Sequence, residues 1–208
     1  MTIPEWLKIA RELHAIAQSG LTYCKNEFDL ERYHRLQEMS AEIITQQSTL
    51  SREAVDESFA MQPGYITPKV DVRAAVIRDG KILLVKEFSD GRWSLPGGWA
   101  DVGDTPSQAI IREVKEESGF DVKIENLVGV YDANRVPDPK MMPFYHAYKL
   151  VFLCSITGGE AQTSHETPAV NFFAPDNLPP LSIYRTNKGH IADAFTQSAN
   201  GRQKTIFD

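Results

Sequence analysis

Apolar residues in the first 60 positions recur with a helical period and show no strand-like alternation. The pattern predicts one helix that runs to Ser19-Gly20 and opens with a capping box of Thr2 and Glu5. A second helix is predicted from near Asp29. The apolar positions are Ile3, Leu7, Ala10, Leu13 and Ala17 in the first helix and Leu30, Tyr33, Leu36, Met39 and Ile43 in the second. Two amphipathic helices cannot bury both apolar faces alone, so we expect a hairpin that packs on the rest of the chain or on a second copy.

The pattern changes to strand-like runs after a linker at residues 61–68, MQPGYITP, which holds two prolines and a glycine. Asp79-Gly80 joins the first two runs and is a strong two-residue hairpin signal. A late helix is predicted near Thr186 to Gln197. The predicted strands are Val70 to Arg78, Lys81 to Glu87, Asn126 to Asp132 and His146 to Ile156. These elements indicate a mixed α/β domain over residues 68–208, preceded by a helical hairpin domain over residues 1–62.

Residues 98–120, GWADVGDTPSQAIIREVKEESGF, predict a turn followed by a helix with an unusual charge pattern. Residues three and four apart share a helix face, so Glu113, Glu116 and Glu117 project together, and Arg112 lies one turn before Glu116. Three carboxylates this close repel one another unless a hard divalent cation such as Mg²⁺ lies among them. An apolar face lies opposite and is expected to anchor the helix on a core; it consists of Ile110, Ile111 and Val114.

An acidic helix face is in most proteins a solvated surface, and the flanking residues argue against that interpretation here. Gly97 and Gly98 follow Pro96 and form a turn that can bring the backbone close to a ligand. Gly119 stands where a helix C-cap belongs. The stretch therefore predicts a metal-binding site on a buried helix.

Composition and charge narrow the range of partners. The 208 residues, 42% of them hydrophobic, can build a core, and the net charge of -6 provides no basic footprint for a stable nucleic-acid partner. Residues 1–60 hold six basic and ten acidic residues, which argues against a nucleic-acid-binding arm. No signal-like segment opens the chain and no apolar run reaches the length of a membrane span, so we expect a cytoplasmic protein without a membrane partner. Cys24 and Cys154 are expected to remain reduced thiols without a role.

The acidic helix and its flanks resemble the Nudix box, a motif of fixed spacing that combines a glycine, an acid, Arg-Glu, Glu-Glu and a closing glycine. The matching positions are Gly98, Asp104, Arg112, Glu113, Val114, Glu116, Glu117, Gly119 and Phe120. The family usually has glutamate at the position of Asp104, which keeps the charge but shortens the reach by one methylene group. The resemblance implies an α/β/α sandwich with a mixed sheet and the box helix on one side of it.

The Nudix resemblance also implies Mg²⁺-dependent hydrolysis of a pyrophosphate bond, with Mn²⁺ as a substitute metal. The glutamates that hold metals in the family match Glu113, Glu116 and Glu117, and a backbone carbonyl at the position of Gly97 assists them. Arg112 is expected to orient these carboxylates by charge-assisted hydrogen bonds. Glu116, Glu117 and Arg112 are therefore the catalytic candidates on the helix.

Several Nudix members use a carboxylate from a distant loop as the general base or as an extra ligand. Glu166, in the segment SHETPAVNFF, is the best candidate for that role in this chain. Its neighbour His165 competes for the role, since histidine titrates near neutral pH, and a loop glutamate is also often only solvated.

The order of a helical hairpin, a Nudix domain and the carboxyl-terminal segment FFAPDNLPPLSIYRT resembles a bacterial subgroup that hydrolyses X-linked nucleoside diphosphates. Within it the layout is most similar to CDP-choline pyrophosphatases, which release CMP and phosphocholine. We therefore expect a nucleotide-containing small molecule as substrate and, through the hairpin, a homodimer. Aromatic side chains that suit a quaternary ammonium group, but equally a core or a nucleobase, are Trp93, Trp99, Tyr131, Phe144 and Tyr145.

Three alternatives stay open. ADP-ribose is the leading rival substrate, because members that prefer it often carry a proline past the box; here that position is Arg135, with Pro137 and Pro139 close by. A nucleoside triphosphate or an RNA end would use the same metal chemistry. A Nudix-like domain can also sense a ligand without hydrolysis, although all three helix glutamates are retained in this chain.

Overall fold

The computed structural model describes residues 4–133, 146–199 and 204–208. The described residues divide into two compact units. Unit 1 comprises 4–68 and 146, and unit 2 comprises 69–133, 147–199 and 204–208. None of the helices in the described part of the chain has the length and apolar character that crossing a membrane requires.

Unit 1 is built from three helices: α1 (Glu5–Tyr23), α2 (Glu27–Gln47) and α3 (Arg52–Ala60). The side chain of Asn26 caps α2 by accepting hydrogen bonds from two backbone amides, and Ser51 caps α3 in the same way at one amide. The helix α3 was not expected from the sequence. Its two buried residues complete the core of the unit, which consists of Ala10, Ala41, Ile44, Val55 and Phe59.

The first helix differs from the prediction at both ends. It begins at Glu5 after Pro4, so Glu5 is its first residue rather than the third position of a capping box, and Thr2 lies outside the described residues. The predicted stop at Ser19-Gly20 is wrong, because α1 continues to Tyr23. Gly20 lies inside the helix against the ring of Tyr33 from α2, and a β-carbon there would overlap that ring. The glycine permits a close helix contact instead of ending the helix.

The buried face of α1 follows most of the predicted stripe, whereas that of α2 is displaced from it. In α1, Leu7, Ala10 and Ala17 are buried as predicted, but His14 is buried and Leu13 is only half-buried. In α2, Ser40 and Ile44 are buried whereas Met39 is exposed. The Ser40 hydroxyl donates to the Ala10 carbonyl over 2.7 Å, so the helices meet at small side chains. Ser40, rather than its neighbour Met39, therefore faces α1.

Unit 2 contains a seven-stranded mixed sheet in the order β3-β2-β1-β5-β4-β7, with β6 also paired to β2. The pairs β1·β5 and β4·β7 are parallel, and the other strand pairs are antiparallel. The strands are β1 (Lys69–Arg78), β2 (Lys81–Lys86), β3 (Trp93–Ser94), β4 (Phe120–Asp132), β5 (Ala147–Gly159), β6 (Ala169–Phe173) and β7 (Ile206–Phe207). The helices are α4 (Pro106–Ser118) and α5 (Lys188–Ala199).

The two faces of the sheet are covered by different helices. Val72, Ala74 and Val76 of β1 pack with α4, whereas Ala75 and its neighbours on the other face pack with α5. The result is an α/β/α sandwich, preceded along the chain by a helical region, which confirms the expected fold class.

Both cysteines, Cys24 and Cys154, are free thiols.

The hairpin between β1 and β2 turns at Asp79-Gly80 as predicted, with positive φ at both residues. Other boundaries differ. The fourth strand begins at Phe120, six residues before the predicted Asn126, and its pairing with β5 shifts register at three places. Each shift breaks the strict alternation on which a sequence prediction of a strand depends. The short strands β3, β6 and β7 were not predicted, and α5 begins at Lys188 rather than Thr186.

Candidate active site

The helix α4 has a defined start and end. Thr105 accepts a hydrogen bond from the backbone of Gln108, whose side chain in turn accepts one from the Thr105 amide, which forms a capping box. Gly119 ends the helix with φ of 79°, and a β-carbon there would overlap the carbonyl oxygen of Glu160. Gly119 thus occupies the predicted C-cap position.

The predicted apolar face of α4 is correct at Ile110 and Val114, which are fully buried. It is wrong at Ile111, which is exposed, and Ala109 is buried in its place. At about 100° per residue the buried face extends from Ala109 through Ile110 to Val114, and Glu113 and Glu117 fall within that arc. These two acidic side chains therefore share the buried face rather than lying opposite it.

A short segment, residues 95–98, lies beside the first strand and faces α4. The Gly98 carbonyl accepts a hydrogen bond from the Val72 amide at 2.8 Å, and the Pro96 carbonyl accepts one from the Ala74 amide at 2.9 Å. Gly97 has φ of 137°, and a β-carbon there would overlap the Val72 carbonyl oxygen. Only glycine permits this approach of the segment to β1.

Two carboxylates of α4 lie at these glycines. The Gly97 amide donates to Glu117 Oε2 over 2.7 Å, and Glu117 is buried. Burial raises the pKa of Glu117 to about 8, although the Arg73 charge and the Gly97 hydrogen bond act against the shift. Glu113 lies beside Gly98 with 14% of its side chain exposed, and burial raises its pKa as well. Two neighbouring carboxylates are thus held in a site that disfavours negative charge.

The third glutamate of the helix points elsewhere. The side chain of Glu116 is 58% exposed and pairs with Arg112 at 3.1 Å. Arg112 also contacts Glu113 at 3.1 Å, Asp101 at 2.9 Å and Asp104 at 3.3 Å, so the shorter side chain of Asp104 still reaches the arginine. Among the residues that the structure describes, no three acidic, histidine or cysteine side chains are already arranged to hold a metal ion.

The donor set at the glycine segment fits a hard divalent cation. Glu113 and Glu117 supply carboxylate oxygens beside the backbone of Gly97 and Gly98, and Mg²⁺ prefers oxygen ligands. The raised pKa values of both glutamates mark a site whose negative charge a bound cation would relieve.

The structure places the loop of Glu166 near the end of α4. The Thr167 hydroxyl donates to the Glu117 carbonyl over 2.7 Å, and the Phe88 amide donates to the Glu166 carbonyl over 2.9 Å. The side chains of Glu166 and His165 are exposed and lie 3.4 Å apart. The loop is thus tied to the helix that carries Glu117, while its carboxylate points into solvent.

A buried group of charged residues beside the glycine segment was missed by the sequence analysis. Arg73 Nε donates to Asp71 over 2.8 Å, and Asp71 also pairs with the buried Lys149 from β5. Glu87 accepts from the Ser94 hydroxyl over 2.5 Å and pairs with Arg185 at 3.3 Å. One available signal was the pair Asp71 and Arg73 within the otherwise apolar run VDVRAAVI.

The aromatic candidates separate into core and surface residues. Trp93 packs edge-on against Phe173, and Tyr131 is buried with its hydroxyl donating to Asp193. Trp99 directly follows the glycine segment and is 45% exposed, with the Lys69 ammonium 5.9 Å from its ring centroid. Phe144 and Tyr145 lie outside the described residues, as do Arg135, Pro137 and Pro139.

Two family models match the chain: a NUDIX domain over residues 67–195 and a "UDP-X-like, N-terminal oligomerisation domain" over residues 4–59. YjhB of Bacillus subtilis, whose proposed activity is that of an ADP-ribose pyrophosphatase, is 40% identical over 98% of this chain and 97% of its own length. The crystal structure of a UDP-X diphosphatase superposes with a TM-score of 0.63 at 36% identity and covers all of both chains. An ADP-ribose pyrophosphatase from Streptococcus suis gives 0.62 at 40% identity and covers 68% of this chain and all of its own.

The box residues thus lie on a capped helix beside a glycine segment, and the NUDIX match spans more than half of the chain. On these grounds, and on the full-length similarity to YjhB, the chain belongs to the Nudix hydrolase family.

Proposed function

We propose that this chain is a Mg²⁺-dependent pyrophosphatase of X-linked nucleoside diphosphates, with CDP-choline as the preferred substrate and CMP and phosphocholine as products. The observation that carries the proposal is the pair Glu113 and Glu117, which bring one largely buried and one buried carboxylate to the backbone of Gly97 and Gly98. The similarity to a UDP-X diphosphatase along the whole chain supports the substrate class.

The proposed metal ligands are the carboxylates of Glu113, Glu116 and Glu117 and the carbonyl of Gly97. Held by these groups, a Mg²⁺ ion would supply charge neutralisation for phosphate oxygens and would lower the pKa of a nearby water molecule. Arg112 holds Glu113 and Glu116 by ion pairs and so sets their orientation.

We propose Glu166 as the general base. The hydrogen bond from Thr167 to the Glu117 carbonyl ties its loop to the metal-binding helix, which supports this assignment. His165, 3.4 Å from Glu166, is the neighbouring alternative.

The position of Trp99 supports choline as the group attached to the nucleoside diphosphate. Its exposed indole follows Gly98 directly and already receives an ammonium group, that of Lys69. A quaternary ammonium group is recognised by the same cation–π attraction. ADP-ribose is the second candidate, because YjhB and the Streptococcus suis protein carry that activity in their names.

A substrate panel tests the proposal. CDP-choline, ADP-ribose, a nucleoside triphosphate and a 5′-capped RNA are compared by kcat/KM with Mg²⁺, with Mn²⁺ and with EDTA. We expect the highest value for CDP-choline, and Trp99→Leu to raise its KM more than that of ADP-ribose, while the exposed Phe88→Leu control changes neither. A clear preference for ADP-ribose would reject the choline assignment, and no hydrolysis of any diphosphate would reject the enzyme itself.

We further propose that residues 1–62 form a dimerisation domain and residues 68–208 the Nudix domain. Ile9, Ile16 and Tyr23 stand at intervals of seven on α1 and are 44%, 48% and 69% exposed. Intervals of seven keep side chains on one helix face, as at the contact between two helices. The match of residues 4–59 to an oligomerisation domain supports a second copy of the chain as the partner.

A further inference from the structure

The glycine segment at residues 95–98 is held from several elements at once. The Leu95 amide donates to the Thr186 hydroxyl over 2.8 Å, and the Leu95 carbonyl accepts from Arg73 Nη1 over 3.1 Å. At the other end, the Gly97 amide donates to Glu117. None of these hydrogen bonds uses the carbonyl of Gly97, which the segment therefore presents in a fixed position.

Arg73 is the only charged side chain among these partners of Leu95, and it is almost completely buried, with 6% of its side chain exposed. A buried guanidinium is costly unless carboxylates and carbonyls satisfy its donors. Asp71 accepts from Nε at 2.8 Å, and Glu87 lies 3.9 Å from Nη1. These two carboxylates fix the guanidinium in the orientation that reaches Leu95.

The two carboxylates are themselves held. Lys149, which lies in β5, pairs with Asp71, and Arg185 pairs with Glu87 at 3.3 Å. The Ser94 hydroxyl, from the residue before Leu95, donates to Glu87. The buried charges thus connect the sheet to residues 94 and 95, immediately ahead of the glycines.

We propose that Arg73 is a positioning residue for the metal site: by holding the Leu95 carbonyl, it sets the place of the Gly97 carbonyl relative to Glu113 and Glu117. This inference rests on the proposed function, because it takes that carbonyl and those glutamates as the metal ligands.

Positioning and simple electrostatics predict opposite effects at this residue. A buried positive charge near a cation site repels the cation, so its removal alone would strengthen metal binding. If Arg73 instead positions the ligands, its removal weakens metal binding. Lysine keeps the charge but lacks the planar fork that reaches Asp71 and Leu95 together, so it does not restore the geometry.

The test measures Mn²⁺ binding to the full chain without substrate, by electron paramagnetic resonance of free Mn²⁺. Arg73→Met and Arg73→Lys are each expected to bind Mn²⁺ about tenfold more weakly than the unaltered chain, the range found for residues that orient metal ligands. Arg78→Lys is the matched control, since Arg78 lies in the same strand but packs on Phe172, and its Mn²⁺ affinity should be unchanged.

Hydrogen exchange of the peptide covering residues 95–99, in the metal-free protein, provides a second readout. Faster exchange in Arg73→Lys, but not in Arg78→Lys, is expected if Arg73 holds the segment. If both Arg73 variants fail to fold, Asp71→Asn takes their place, because it keeps the arginine but weakens its ion pair with residue 71. The same faster exchange of the peptide is then expected.

The outcomes separate the two proposals. Three results would each overturn the role of Arg73 and leave the proposed function intact. They are tighter Mn²⁺ binding by Arg73→Met, a Mn²⁺ affinity of Arg73→Lys within about a factor of two of that of the unaltered chain, and unchanged hydrogen exchange in every variant. Absence of Mn²⁺ binding by the unaltered chain would overturn the metal site of the proposed function and this inference with it.

Discussion

Glu117 is the residue on which the proposed metal site depends most. It is the most deeply buried carboxylate of the helix, and its raised pKa shows that the folded protein tolerates its charge poorly. Glutamine keeps the shape and an oxygen for the Gly97 amide but removes the charge.

We expect Glu117→Gln to lower kcat/KM with Mg²⁺ by at least about a hundredfold, since a charged ligand is lost. In EDTA its thermal unfolding midpoint should be equal to or above that of the unaltered chain, because glutamine can keep the hydrogen bond to the Gly97 amide and removes a carboxyl group whose ionisation burial disfavours. The exposed Glu57→Gln is the control for both measurements. Activity close to that of the unaltered chain would contradict the metal assignment.

The positions of the three glutamates on α4 follow only in part from the sequence. Their spacing placed them on one side of α4, and that part follows from helix geometry alone. The burial of Glu117 was decided by a neighbour distant in sequence, Gly97, whereas Glu116 stays at the surface beside Arg112 of its own helix.

At the scale of elements, the end of α4 is set by Gly119, whose left-handed conformation and close contact with Glu160 both require glycine. Gly91 has a similar φ of 67° but open space around it. Alanine at position 91 would therefore meet backbone strain only, whereas alanine at position 119 would meet both backbone strain and steric overlap.

We expect Gly91→Ala to cost about 1 kcal/mol of unfolding free energy, the cost of a left-handed non-glycine residue. Gly119→Ala should cost about 1 to 3 kcal/mol more, since the added β-carbon must displace backbone atoms. Urea denaturation of both variants measures the difference. Equal losses would show that the contact with Glu160 relaxes without cost.

Elements defined by local interactions were predicted well, and those defined by partners were not. The Asp79-Gly80 hairpin and the glycine end of α4 depend on residues within one turn. The two-residue strand β3 exists because β2 pairs with it, and α1 passes Gly20 because Tyr33 of α2 packs there. A sequence window contains no information about such partners.

At the scale of the whole molecule, two buried histidines tie stability to pH. Burial lowers the pKa of His14 in unit 1 to about 4, and burial together with the Lys149 charge lowers that of His190 in unit 2 to about 3. Above pH 6.5 neither the folded nor the unfolded chain is protonated at these residues. Below it only the unfolded chain takes up protons, so stability is lost as the pH falls towards 4.

For His14 the loss between pH 7 and pH 5 amounts to about 2 kcal/mol. We expect His14→Phe, which keeps a ring against Phe59, to reduce this loss in chemical denaturation at the two pH values. The exposed His34→Phe should leave the loss unchanged. An identical pH dependence in all three proteins would show that His14 takes up its proton at the same pH in the folded and the unfolded chain.

The proposed dimer has an equally direct test. Ile16→Glu places a charge in the middle of the exposed apolar stripe on α1, and we expect it to convert the dimer to a monomer in sedimentation. Met61→Glu, which changes an exposed apolar residue beyond the third helix, should remain dimeric. A dimer that survives Ile16→Glu would place the interface elsewhere.

The sequence by itself determined the family, the acidic helix with its glycine end, and the order of helical region and mixed sheet, because each depends on spacing along a short stretch of chain. Tertiary structure alone decided which carboxylates face the glycine segment. It also brought Asp71, Arg73, Glu87, Lys149 and Arg185 together around that segment. These residues come from separate strands and loops, and charged side chains become a buried network only when the folded sheet removes them from water.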